Sequence, residues 1–157
     1  MRIAVVADHG GFSYKDEIVK LIDKLGYTAI DLGCGCGEPV DYPDYAFPVC
    51  EALARGEYDR AVLICGTGIG MSICANKVKG VRCALCSDAV SARLTREHNN
   101  ANALAMGARI IGIETAKAIT EAWLATEYSN AARHTVRIDK ITGYEMRADS
   151  QPFKLGL

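Results

Sequence analysis

Cys65-Gly66-Thr67-Gly68-Ile69-Gly70-Met71 sets a thiol at the end of an apolar run and follows it with three alternating glycines. A thiolate can act as a nucleophile or a base, and backbone N–H groups bared by glycine can hold an anion beside it. Ala61-Val62-Leu63-Ile64 reads as a buried strand and Ser72 to Lys79 as a helix, so the glycines form the strand-to-helix turn. A helix N-terminus adds partial positive charge, which favours an anion in the turn and a thiolate at Cys65. Asp8, His9, Thr67, His98 and Asn99 complete an inventory of acid, base and hydroxyl groups suited to proton transfer. His9 follows a strand and His98 ends a helix, positions that favour function over a buried structural histidine. Asn99 also reads as a helix C-cap.

Spacing excludes several users of glycine turns. If Gly66 opened a P-loop, Met71 and Ser72 would stand where the last glycine and the lysine are needed. A phosphatase loop of the Cys-x-x-x-x-x-Arg kind would need arginine where Met71 stands. A dinucleotide fingerprint fits Gly66 and Gly68, with Asp88 as the acidic residue further on, but Gly70 falls one position early. A tight turn that binds nothing, with Cys65 a small core residue, is the plain alternative.

These residues need a scaffold. Strand patterns at Ile3–Ala7, Thr28–Leu32, Arg60–Cys65, Arg82–Cys86, and either Ala103–Met106 or Arg109–Gly112, alternate with helical ones. The helices are expected near Tyr14–Leu25, Tyr45–Ala54, Ser72–Lys79, Ala89–Glu97, Thr115–Ala125 and Asn130–Arg147. That alternation predicts an α/β fold, a Rossmann-like three-layer α/β/α sandwich on a five-stranded parallel sheet. Ligands in such sheets bind beyond the carboxyl ends of strands, where Asp8-His9-Gly10-Gly11, Cys65 with its glycines, and Ser87-Asp88 fall. Arg133 and Arg137 are four apart on the last helix and, with His134 adjacent, give a basic face suited to phosphate. If that helix packs on a second subunit, it carries the arginines into the partner's cleft, in a homodimer.

The chain has 157 residues, half of them hydrophobic, which suits one domain over 1–147 and a tail over 148–157. A net charge of −1 without a basic block points away from nucleic acid and from anionic membranes. Neither a signal peptide nor an 18-residue apolar run is present, and a cytoplasmic location is expected. Seven cysteines at 34, 36, 50, 65, 74, 83 and 86 make no secreted disulfide framework. Cys34-Gly35-Cys36 lacks zinc or redox spacing and reads as loop thiols, and no metal or cofactor is expected.

Taken together, six motifs resemble the type B ribose-5-phosphate isomerases, whose wider family includes galactose-6-phosphate isomerase subunits and allose-6-phosphate isomerases. They are Asp8-His9-Gly10-Gly11, Asp41-Tyr42-Pro43-Asp44-Tyr45-Ala46, Cys65 to Gly70, Ala75-Asn76-Lys77, Arg96 to Asn102, and Arg133-His134 through Arg137. The match runs in order from Met1 to about Met146. The resemblance implies that Cys65 moves a proton between C2 and C1 of a sugar phosphate through an enediolate. Gly66, Gly68, Ile69 and Gly70 would line the anion hole, and His98, aided by Thr67, would open the sugar ring. Asp8, His9 and Tyr42 would contact substrate, Asn99 would stabilise the enediolate or a hydroxyl, and Arg109, Arg133 and Arg137 would bind phosphate. Family members without the cysteine use a glutamate where Met71 stands, so this chain resembles the cysteine type. It keeps the whole set, which implies a self-sufficient homodimer, or a dimer of dimers, with sites shared between subunits. Ribose 5-phosphate is the expected substrate, with six-carbon and tetrose phosphates as alternatives and a silent sugar-phosphate or nucleotide binder as a further one.

Overall fold

The computed structural model describes residues 1–35 and 38–147. Five strands, β1 (Arg2–Ala7), β2 (Thr28–Asp31), β3 (Arg60–Cys65), β4 (Cys83–Leu85) and β5 (Ala103–Gly107), form one sheet in the order β2-β1-β3-β5-β4. Every pairing is parallel. The helices are α1 (Phe12–Lys24), α2 (Tyr42–Ala54), α3 (Ile69–Ala75), α4 (Ala89–Asn99), α5 (Ile113–Ala125) and α6 (Ala132–Glu145).

Near-continuous apolar strands imply burial on both faces, and the period of two sorts their side chains. Ile3, Val5 and Ala7 of β1 pack with Val62, Ile64, Leu104 and Met106 against α1, α4 and α5, around the fully buried Trp123. Ala4 and Val6 face the other way with Ala61, Leu63, Cys65, Ala103 and Ala105, under α2 and α3. Helices therefore cover both faces, as a parallel sheet requires. The chain first moves from β1 outward to β2, then returns to place β3 on the other side of β1. The switch point thus lies between β1 and β3, and their carboxyl ends are Ala7 and Cys65.

Of the two places expected for the fifth strand the first is observed, and two helix starts need correction. The fifth strand is Ala103–Gly107, while Arg109–Gly112 is a turn whose Ile110 and Ile111 N–H groups both donate to the Gly107 carbonyl. Helix α3 spans Ile69–Ala75, three residues earlier than expected and stopping short of Lys79. The Asn76 side chain ends it, donating to the Ser72 and Cys83 carbonyls and accepting from Cys83 N–H. Helix α2 starts at Tyr42 because Pro43 sits in the first turn, where its missing N–H leaves no helical bond unmade. Cys36, and with it the question of the Cys34 and Cys36 pair, lies outside the described residues, as does the 148–157 tail. No helix among the described residues is long and apolar enough to cross a membrane.

Candidate active site

At the switch point three strand ends meet with their backbones in contact. Asp8, 5% exposed, follows β1, and its Oδ1 accepts from the N–H groups of Gly10 at 2.8 Å and Gly11 at 3.0 Å. This Asx-type turn presses Gly10 onto the glycine loop, where any Cβ at Gly10 would stand 2.7 Å from Gly66 N. On the other side, a Cβ at Gly107, the last residue of β5, would stand 2.5 Å from the Thr67 carbonyl carbon. Only glycine permits approach this close.

Cys65 closes β3 and is 4% exposed, at the floor of this junction. Its Sγ accepts a hydrogen bond from Gly68 N–H at 3.0 Å. That bond requires the loop to double back, which Gly68 achieves with φ of +77°. Ile69 N–H reaches the hydroxyl of exposed Thr67 at 3.3 Å. Because α3 has only seven residues, the loop amides, more than a long helix dipole, supply the positive field here. Arg109, fixed by its N–H to the Gly66 carbonyl at 2.9 Å, lays its side chain along Gly66. The Tyr42 ring lies against Gly70, so close that a Cβ there would stand 2.7 Å from the ring. Beyond it, His9 Nδ1 accepts from Val40 N–H at 3.2 Å, and His9 lines an open cleft of about 630 Å³ with Pro39, Val40, Asp41, Asp44 and Tyr45. Asp8, His9, Tyr42, Cys65, Gly66, Thr67, Gly68, Ile69, Gly70 and Arg109 are thus brought to the carboxyl edge of the sheet.

His98, Asn99, Arg133 and Arg137 are not. Helix α4 leaves the carboxyl end of β4 and returns to the start of β5, so His98 and Asn99 lie at the amino edge. Ala103 pairs with Ala61, whereas Cys65 pairs with Gly107, four residues along the strands. That run alone is about 13 Å. His98 is half-buried, with its ring centroid 4.2 Å from that of His134 on α6. His134 does not belong to the basic face expected of it: it is buried, with Nδ1 3.0 Å from Ser129 Oγ and Nε2 accepting from Arg133 Nε at 3.2 Å. Burial, then His98, Arg133 and Arg137, hold its pKa below the usual histidine value. Arg133 and Arg137 are exposed, beside the exposed Val136, Ile141 and Tyr144.

Other motif residues do structural work. Asp88 caps α4, accepting from Ser91 N–H and Ser91 Oγ at 2.7 Å each, which removes it from a ribose-binding role. The C-cap of α4 is Asn100, left-handed at φ of 45°, leaving Asn99 as an exposed last-turn residue. Arg96 is buried and donates to Asn100 Oδ1 and the Ala101 carbonyl. Asn102 fastens Arg82 N–H and the Gly80 carbonyl. Residues that the sequence reading passed over include Gly107 and Leu85, both packed against the loop.

The ribose/galactose isomerase family model matches residues 3–141. Ribose-5-phosphate isomerase B of Escherichia coli (strain K12) is 47% identical over 146 residues, covering 93% of this chain and 97% of that protein. D-erythrulose-4-phosphate isomerase of Pectobacterium atrosepticum is 40% identical over 152 residues, covering 96% and 99%. Among solved structures, Clostridium thermocellum ribose-5-phosphate isomerase B superposes with a TM-score of 0.89 at 47% identity, covering 92% of this chain and 97% of that one. Sequence, fold and the glycine-lined thiol at the switch point converge, and the chain belongs to the ribose/galactose isomerase family of sugar-phosphate isomerases.

Proposed function

We propose that this protein interconverts ribose 5-phosphate and ribulose 5-phosphate, as a single isomerase domain over 1–147, with Cys65 as the base. The observation that carries the reading is the Cys65 thiol at the end of β3, under the Gly68 N–H at 3.0 Å. An aldose with an open chain has a C2 proton made acidic by the C1 carbonyl. The Cys65 thiolate takes that proton, a cis-enediolate forms, and the resulting thiol returns the proton to C1 while the hydroxyl proton moves from O2 to O1. Nothing is consumed. With the Gly68 amide on the thiol and the Ile69 amide on the Thr67 hydroxyl, the Gly66 and Gly70 amides of the same loop meet the developing oxyanion as preorganised donors. Fully buried Met71 stands where family members without the cysteine keep a glutamate, which leaves the thiol as base.

Ring opening and phosphate binding need His98, Asn99, Arg133 and Arg137, which this chain presents at the amino edge of its sheet. A second copy would supply them, in a homodimer with two shared sites. Exposed Val136, Ile141 and Tyr144 on α6 and exposed Ile69 and Ile73 on α3 support this reading. Helix α3 begins in the glycine loop, so a partner's α6 seated on Ile69 and Ile73 would bring its arginines there. His98 then opens the furanose by general acid–base transfer with Thr67. Arg109 of the same chain joins Arg133 and Arg137 of the other on the phosphate, with His9 nearby. Asn99 holds a hydroxyl or the enediolate, while Asp8 and Tyr42 bound the sugar.

The 40% identity to a D-erythrulose-4-phosphate isomerase favours a tetrose phosphate as the second reading. Turnover of ribose 5-phosphate and of erythrulose 4-phosphate by the purified protein, each against Cys65→Ala, separates the two. Thiol-dependent kcat/KM on the pentose near 10⁴ M⁻¹s⁻¹, roughly the low end for ordinary enzymes, supports the first. Turnover of the tetrose alone supports the second.

A further inference from the structure

His134 is the one histidine with no role in the proposed reaction, yet it is 4% exposed and touches two residues that have one. Arg133 Nε can only donate, so His134 Nε2, 3.2 Å away, must carry a lone pair. A neutral ring then bears its proton on Nδ1, which donates to Ser129 Oγ at 3.0 Å. Ser129 is itself anchored. Its N–H donates to the Glu97 carbonyl at 3.1 Å and its Oγ accepts from Ala131 N–H at 3.4 Å, tying the end of α4 to the start of α6. Next to Glu97, His98 packs its ring 4.2 Å from that of His134, tilted by 45°.

We propose that His134 is a positioning residue, fixed as the Nδ1–H tautomer between Ser129 and Arg133, which holds the Arg133 guanidinium and the His98 ring as one rigid unit. This rests on the phosphate role of Arg133 and the ring-opening role of His98 proposed above. Arg133 is long and exposed, and a free guanidinium of that kind loses rotamer freedom on meeting an anion. Pinning Nε to His134 spends part of that loss in advance and turns the Nη edge of the fork toward a phosphate. Burial first, and then the neighbouring His98, Arg133 and Arg137, disfavour protonation of His134, which preserves its acceptor at Nε2.

Two variants divide the ring's contacts. The His134→Gln amide oxygen reaches the place of Nε2 and can still accept from Arg133, whereas the His134→Asn amide reaches only the place of Nδ1 and keeps Ser129. The expected result is a KM for the sugar phosphate, and an inhibition constant for inorganic phosphate, raised about tenfold in His134→Asn and largely restored in His134→Gln, at equal Tm. Equal losses in both variants would overturn the proposal. So would an unchanged KM in His134→Asn if Arg133→Ala raises it, and the phosphate site would then stand without His134. An unchanged KM in Arg133→Ala would overturn the phosphate role and this proposal together. Should the variants fail to fold, ¹⁵N NMR of the wild-type imidazole decides: a proton on Nδ1 supports the assignment, and a proton on Nε2 overturns it.

Discussion

Cys65 and His98 stand at opposite ends of one parallel sheet, Cys65 paired with Gly107 at the finish of β5 and His98 on the helix that leads into its start at Ala103. In the proposed mechanism the base and the ring-opening acid, so separated in one chain, serve one sugar only if two chains combine. Cys65→Ala and His98→Asn proteins, each inactive on ribose 5-phosphate, should therefore regain activity when unfolded together and refolded as a mixture. Random pairing gives about a quarter of the wild-type rate, from hybrids that hold one intact site. Failure of the mixture to exceed its parents would place both residues in separate functions.

The thiol prediction is sharper within one chain. Cys65→Ala should fold with an unchanged circular dichroism spectrum and lose turnover by several orders of magnitude. Cys74→Ala, which removes another buried thiol from the same core layer, should lose little beyond some stability. Comparable rates in the two variants would remove Cys65 from the chemistry.

Arg133→Ala and Arg137→Ala should act mainly on KM. Each charge-assisted contact contributes about 1.5–3 kcal/mol, so a loss of roughly tenfold to a hundredfold in kcat/KM is expected from either. Steady-state kinetics on the phosphorylated sugar checks this, and an unchanged KM would return both residues to a solvated surface.

Thiol chemistry should follow position. Burial pushes the Cys50 thiol up to about 12 and the Cys86 thiol up to about 11, so both carry little thiolate at pH 8. Iodoacetamide at that pH should leave them unmodified in the folded protein, while inactivation tracks carbamidomethylation of Cys65 and is slowed by sugar phosphate. Peptide mass spectrometry of a time course reads this directly.

Gly68→Ala should damage both stability and rate. Its φ of +77° costs an L-residue about 1–2 kcal/mol, and a Cβ there would stand 2.5 Å from Leu85 Cδ1 and 2.8 Å from the Met106 carbonyl carbon. The loop must shift, taking the N–H away from Cys65. A Tm drop with loss of kcat is expected; wild-type kcat would show that this amide does not matter to the thiol.

Much of this architecture was visible in the chain. Uninterrupted apolar runs such as Ala61–Ile64 announce strands buried on both faces, and polar residues just past them fall at the site. What misled was local. Ile69 lies between two glycines and looks like turn, but the helix already begins there, as the Ser72 hydroxyl bond to the Ile69 carbonyl shows. The second helix was expected from Tyr45, yet it starts at Tyr42 with Pro43 in its first turn. His134 was grouped with its basic neighbours, although one step along a helix turns about 100°, away from the stripe that positions 133 and 137 share. The separation of His98 from Cys65 depends on the direction of the α4 crossover, which no single motif reveals.

The contacts of Gly10 with Gly66 and of Thr67 with Gly107 also bear on how the protein becomes competent. They join segments far apart in sequence and exist only once β1, β3 and β5 lie side by side. Non-local parallel pairing is slow because long loops must close before any contact rewards them. The thiol therefore meets its loop, and the loop its neighbours, only at the end of folding. Recovery of catalytic rate after dilution from denaturant should lag behind recovery of helical signal, making turnover a clock for the last long-range step of sheet assembly.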